Sequence, residues 1–85
     1  MLKLFIIERG YRMAKCNIDN DIRKLRFLAD EMTQQQLADK VDVTRQTIVA
    51  IEKGKYSPTL ELAFKIANVF SKPLQEIFSY HPEEK

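Results

Sequence analysis

Arg45 and Gln46 stand side by side at the head of a helical-period stretch, and Val49, Ala50 and Lys53 follow at helical spacing. An arginine fork matches the two acceptors on the major-groove edge of guanine, and a glutamine amide matches the donor–acceptor pair of adenine. Val49 and Ala50 are short enough to let a helix backbone come close to bases, and either can touch a thymine methyl. Winding the stretch at about 100° per residue puts Arg45, Gln46, Val49, Ala50 and Lys53 on one side. Thr47, Ile48 and Ile51 fall on the other. The inward set can close a core while the outward set contacts a partner. A solvated helix face is the simpler reading of the same residues, although Val49 and Ala50 in its middle are unusual there.

Other chemistries find little support. His81 is the only histidine and Cys16 the only cysteine, so a zinc site lacks ligands and a nucleophile–histidine pair would have to use that one tail histidine. The chain is expected not to be an enzyme and to carry no metal or cofactor. A lone cysteine forms no internal disulfide, which fits a reducing cytoplasm. Formal net charge is +2, but the excess sits in the first sixteen residues, where Lys3, Arg9, Arg12 and Lys15 face Glu8. From Asn17 onward ten basic residues meet eleven acidic ones. Bulk charge therefore does not argue for nucleic acid, and any such argument must rest on where individual charges stand.

Eighty-five residues make one small domain. Helical spacing dominates the sequence. A first helix is expected over about Asp19 to Ala29, capped by Asn17 or Asp19, with Ile22, Leu25, Arg26 and Ala29 on one face. A second starts after Thr33, where Gln36 three residues on completes a capping-box pattern, and turns Leu37, Ala38 and Val41 inward. The third runs from Thr44 to Gly54, a favoured helix stop. Thr59 caps a fourth, with Leu62, Ala63, Ile66, Ala67 and Phe70 in register. Pro73 opens a short fifth, with Leu74, Ile77 and Phe78 inward. Residues 81–85 read as a polar tail and 17–80 as the domain.

Residues 1–16 admit three readings: an upstream extension with Met13 the usual start, a strand pairing with its copy in a dimer, or a membrane-surface anchor. The apolar run Leu2–Ile7 is too short to span a bilayer. Among these the dimer strand draws on the alternation of Leu2, Leu4 and Ile6 with Lys3, Phe5 and Ile7.

The segments T-Q-Q-Q-L-A-D-K-V, V-T-R-Q-T-I, I-E-K-G-K-Y-S-P-T-L-E-L-A-F-K-I-A and L-Q-E-I-F together resemble the Cro/CI-type, Xre-like helix-turn-helix family of phage and bacterial repressors. The resemblance covers about Ile22 to Phe78. It implies an all-α, compact five-helix, lambda-repressor-like DNA-binding domain in which helices two and three form the helix-turn-helix. It places Arg45, Gln46, Val49 and Ala50 at base edges. Phosphate contacts then fall to Gln34, which also braces Arg45, and to Thr44, Thr47, Lys53, Lys55 and Tyr56. Arg26 and Glu52 occupy positions of an ion pair between helices one and three. Three departures stand out: Asp42 where the family has glycine, a connection from Leu28 to Met32 that is one residue longer, and Lys72-Pro73 in place of a small cap.

The function so implied is a sequence-specific, double-stranded-DNA-binding transcription regulator, a repressor or autoregulator. It would act as a homodimer on a palindromic operator, with no membrane or small-molecule partner, in the cytoplasm at the nucleoid. Phe78, Tyr80 and the N-terminal strand are the candidate dimer surfaces. The competing readings are an antitoxin that binds a toxin protein and represses its own operon, and a protein adaptor with a vestigial helix-turn-helix.

Overall fold

The computed structural model describes residues 17–82. Along the chain come β1 (Ile18–Asn20), α1 (Ile22–Leu28), α2 (Gln34–Val41), α3 (Arg45–Glu52), α4 (Leu60–Phe70), a 3₁₀ turn (Leu74–Glu76) and β2 (Phe78–Tyr80). The readings of residues 1–16, and the end of the polar tail, lie outside the described residues.

Two expectations about fold class need correction. Among the described residues there are four α-helices rather than five, and the domain is not all-α, because β1 and β2 form a small antiparallel sheet. Ile18 pairs with Tyr80, Asp19 with Ser79 and Asn20 with Phe78. The segment after Pro73 is too short to repay the cost of nucleating an α-helix, so it makes one 3₁₀ turn. The β-prone Phe78-Ser79-Tyr80 then extends. Its pairing takes up residues 18–20, of which Asp19 and Asn20 are the expected start of the first helix. That helix accordingly begins at Ile22 and ends at Leu28 rather than Ala29. Flanking bonds lengthen the pairing, from His81 N–H to the Asn17 carbonyl at 2.8 Å and from Asp21 N–H to the Ile77 carbonyl at 3.0 Å.

The core lies between the helices. Ile22, Leu37, Ala38, Ile48 and Ile66 are fully buried, and Leu25, Val41, Ile51, Leu62, Ala67 and Ile77 complete the cluster. Met32, Val43, Val69, Phe70, Leu74 and Phe78 pack around it. No polar or charged residue is buried among the described residues. Each fully buried large aliphatic side chain contributes about 1.5–3 kcal/mol relative to leaving it exposed. This apolar wedge fixes α2 against α3 and α4.

Candidate nucleic-acid interface

Hydrogen bonds at both ends of α2 and α3 set the lengths of these helices. The Thr33 hydroxyl accepts from Gln36 N–H and the Gln36 side chain accepts from Thr33 N–H, each at 2.9 Å, closing the capping box. Thr44 Oγ1 accepts from Thr47 N–H at 3.3 Å, and the two threonine hydroxyls lie 3.1 Å apart. Between the helices Asp42 adopts the left-handed conformation, φ 66° and ψ 43°, which its position in the tight turn demands. At the far end Gly54, φ +74°, reverses the chain. Its N–H reaches the Ile51 carbonyl and Lys55 N–H reaches the Ala50 carbonyl, both at 3.0 Å. That is the Schellman pattern, and it occupies carbonyls that α3 would otherwise leave open.

The inward face of α3 is anchored by buried Ile48 and Ile51. Its outward face carries exposed Arg45, Gln46 and Lys53 around half-buried Val49 and Ala50. Behind that face a polar cluster governs its tilt. Arg26 Nε donates to Glu52 Oε2 at 2.7 Å and Nη2 to Oε1 at 3.0 Å, a two-pronged pair joining α1 to α3. Arg26 Nη1 also donates to the Met32 carbonyl at 2.8 Å, which ties down the connection into α2. Gln34 Nε2 donates to Glu52 Oε1 at 3.2 Å. The side chains of Arg26 and Glu52 are 14% and 8% exposed, so the pair is largely shielded from water.

A second tether was not anticipated from sequence. The Asn20 side chain accepts from Ile22 N–H at 3.1 Å and donates to the Ile51 carbonyl at 2.9 Å. It thereby serves the start of α1, the role expected of Asn17 or Asp19, and holds the end of α3 to β1.

In front of α3 lies an open cleft of about 620 Å³ between α1, the first turn of α2 and α3. Gln34, Arg45, Val49 and Lys53 line it together. Gln46 and Ala50 lie on the same helix, beside these residues. Thr44 and Thr47 sit at the N-terminal end of α3, and Lys55 and Tyr56 follow Gly54 in the loop, with Tyr56 43% exposed. The bond that the structure gives Gln34 runs from its Nε2 to Glu52 rather than to Arg45; a guanidinium offers that amide hydrogen no acceptor, so a brace of Arg45 would have to use Gln34 Oε1.

Arg23 and Glu31 also line the cleft, and neither was singled out from sequence. Arg23 stands three residues before Arg26, a spacing that puts both on one helix face and could have revealed it. Glu31 reaches the rim because Asp30 and Glu31 are both left-handed, φ 64° and 58°, in the longer connection after α1. Charge is unevenly distributed. Arg26 is neutralised by Glu52, Lys65 lies 3.8 Å from Glu61, and His81 lies 3.0 Å from Asp19. Arg23, Arg45 and Lys53 have no acidic partner among the described residues. Three cations without an acidic partner thus line one cleft beside α3, while Lys24, Lys40, Lys55 and Lys72, likewise unpaired among the described residues, stand outside its lining.

Comparison with known proteins agrees with this arrangement. A helix-turn-helix family model matches residues 22–77. An uncharacterized HTH-type transcriptional regulator of Methanocaldococcus jannaschii is 57% identical over 53 residues, covering 62% of this chain and 80% of that protein. The cryptic phage CTXphi transcriptional repressor RstR of Vibrio cholerae is 38% identical over 58 residues, covering 68% of this chain and 51% of that protein. A crystal structure of a protein from Bacteroides fragilis superposes with a TM-score of 0.63 at 19% identity, over 73% of this chain and 98% of the other, a likeness of fold. With its two capped helices, its left-handed turn and this family match, the chain belongs to the helix-turn-helix family of DNA-binding regulators, in its Cro/CI, Xre-like form.

Proposed function

We propose that the protein is a sequence-specific transcription regulator that binds double-stranded DNA as a homodimer, with α3 in the major groove of each half-site. The observation that carries this reading is the outward face of α3, where Arg45 and Gln46 extend freely around the short side chains of Val49 and Ala50. Arg45, Gln46, Val49 and Ala50 read base edges. Gln34, Thr44, Thr47, Lys53, Lys55 and Tyr56 contact phosphates and set the register of the helix. Gln34 has a second amide hydrogen beyond the one given to Glu52, and that hydrogen serves the phosphate. The similarity to RstR, itself named a transcriptional repressor, supports repression as the mode of action.

One α3 spans few base pairs, so two copies on half-sites roughly 34 Å apart supply the specificity that one copy lacks. Tyr80, 63% exposed on β2, is a candidate for the surface between them, whereas Phe78 is half-buried against the core. Selection of bound sequences from a random duplex pool, with the mass of the free and bound protein in solution, tests both parts. An enriched palindrome and a dimer mass are expected. Failure to retain any duplex at low salt would remove the DNA reading. A monomer on a single unrepeated site would remove the dimer.

A further inference from the structure

We infer that Arg23, on α1, is a phosphate clamp on the far wall of the α3 cleft, so that the DNA interface extends beyond the helix-turn-helix. This rests on the proposed DNA binding and deepens it. Arg23 lines the same cleft as Arg45 and Lys53, but approaches from a different element. It is exposed and has no hydrogen-bond or ion-pair partner among the described residues. Its neighbour on that face, Arg26, is committed to Glu52 and the Met32 carbonyl. The cation available on the α1 wall is therefore Arg23. A strand backbone lying along the mouth of the cleft would pass between Arg23 on one side and Arg45 and Lys53 on the other. Glu31 on the rim opposes a phosphate there, so the clamp must outweigh one carboxylate. A guanidinium suits this role, since its fork can hold two phosphate oxygens at once.

The experiment uses the full chain, a selected duplex and a random duplex, with affinity measured by fluorescence anisotropy from low to high salt. Arg23→Ala is expected to weaken both duplexes alike, roughly 5- to 10-fold near 0.1 M salt, and to lower the salt slope by about one. Arg23→Lys should recover part of the loss and the parent salt slope, since it keeps the charge but not the two-pronged fork. Lys72→Ala removes the same charge from an exposed position outside the cleft and should leave the slope within error of the parent protein. Because Arg23 has no hydrogen-bond or ion-pair partner among the described residues, thermal melts of its variants should overlay that of the parent. If Arg45→Ala weakens binding while Arg23→Ala leaves affinity and slope unchanged, the clamp is refuted and the DNA reading survives. Equal effects of Arg23→Ala and Lys72→Ala refute it in favour of bulk charge. A loss on the selected duplex alone refutes it in favour of base contact. A parent protein that retains no duplex removes both readings together.

Discussion

Removing either partner of the Arg26–Glu52 pair should cost far more than a surface ion pair is worth, and the two removals should not be equal. Arg26→Ala deletes both prongs on Glu52 and leaves a carboxylate whose side chain is 8% exposed, with the Gln34 amide as its remaining partner. Glu52→Ala leaves a guanidinium that is 14% exposed and still bonded to the Met32 carbonyl. Losing one member of a shielded pair costs about 3–5 kcal/mol. Arg26→Ala should lie near the upper end and Glu52→Ala near the lower. For a domain of this size each kcal/mol lowers Tm by roughly 4–8 °C, so even the milder variant should melt at least 10 °C or so below the parent. Urea titrations followed by circular dichroism give the stability changes. The double variant closes a cycle whose coupling energy isolates the pair. The Arg26→Leu/Glu52→Leu combination should be markedly more stable than either alanine variant, because no charge is then stranded. Single-variant losses under about 1 kcal/mol, the range of exposed pairs, would refute the claim that this bridge fixes the tilt of α3.

Further variants probe the remaining links. Gly54→Ala should cost about 1–2 kcal/mol through its φ of +74° alone, since an added Cβ meets nothing within 4 Å. Asp42→Gly, at φ 66°, should instead stabilise by about 0.5–1 kcal/mol in the same melt. Asn20→Ala removes the bonds to Ile22 and Ile51 and should cost about 1–3 kcal/mol, with faster amide exchange at the end of α3 and the start of α1. On DNA, Arg45→Ala should lose about 1–3 kcal/mol at the selected site and relax base preference there. Lys55→Ala should weaken all sequences alike and flatten the salt dependence. Equal losses on selected and random duplexes for Arg45→Ala would contradict its role as a base reader.

Much of the helical frame was visible in sequence because its signals are local. Thr33 with Gln36, Thr44 and Thr59 each cap a helix through a bond spanning three residues, and Gly54 needs only its own conformation. The stripe Leu37, Ala38 and Val41 and the pair Ile48 and Ile51 are buried as their spacing requires. What stayed hidden depends on contacts between distant segments. Three-residue strands have too little alternation to declare themselves, and β1 exists because Phe78–Tyr80 returns to meet it. The Asn20 tether bridges 31 positions, and nothing beside Asn20 in sequence points to Ile51. The cleft is likewise a product of packing. The spacing of Arg23 from Arg26 gives away their shared helix face, but the cleft that Arg23 shares with Arg45 exists only once α1 is set beside α3, and Glu31 reaches it through two left-handed residues that no local motif announces.

The antiparallel pairing of β1 and β2 also decides how the domain bears load. Asn17 and His81 leave the sheet at the same end, joined by a 2.8 Å bond. Tension drawn outward through these two points does not shear the strands past each other. It peels the rungs singly, beginning with the outermost, and a two-stranded ribbon has little strength of its own. Any tether at either end therefore pulls first on this zipper, while the helices behind it stay intact until the strands have parted.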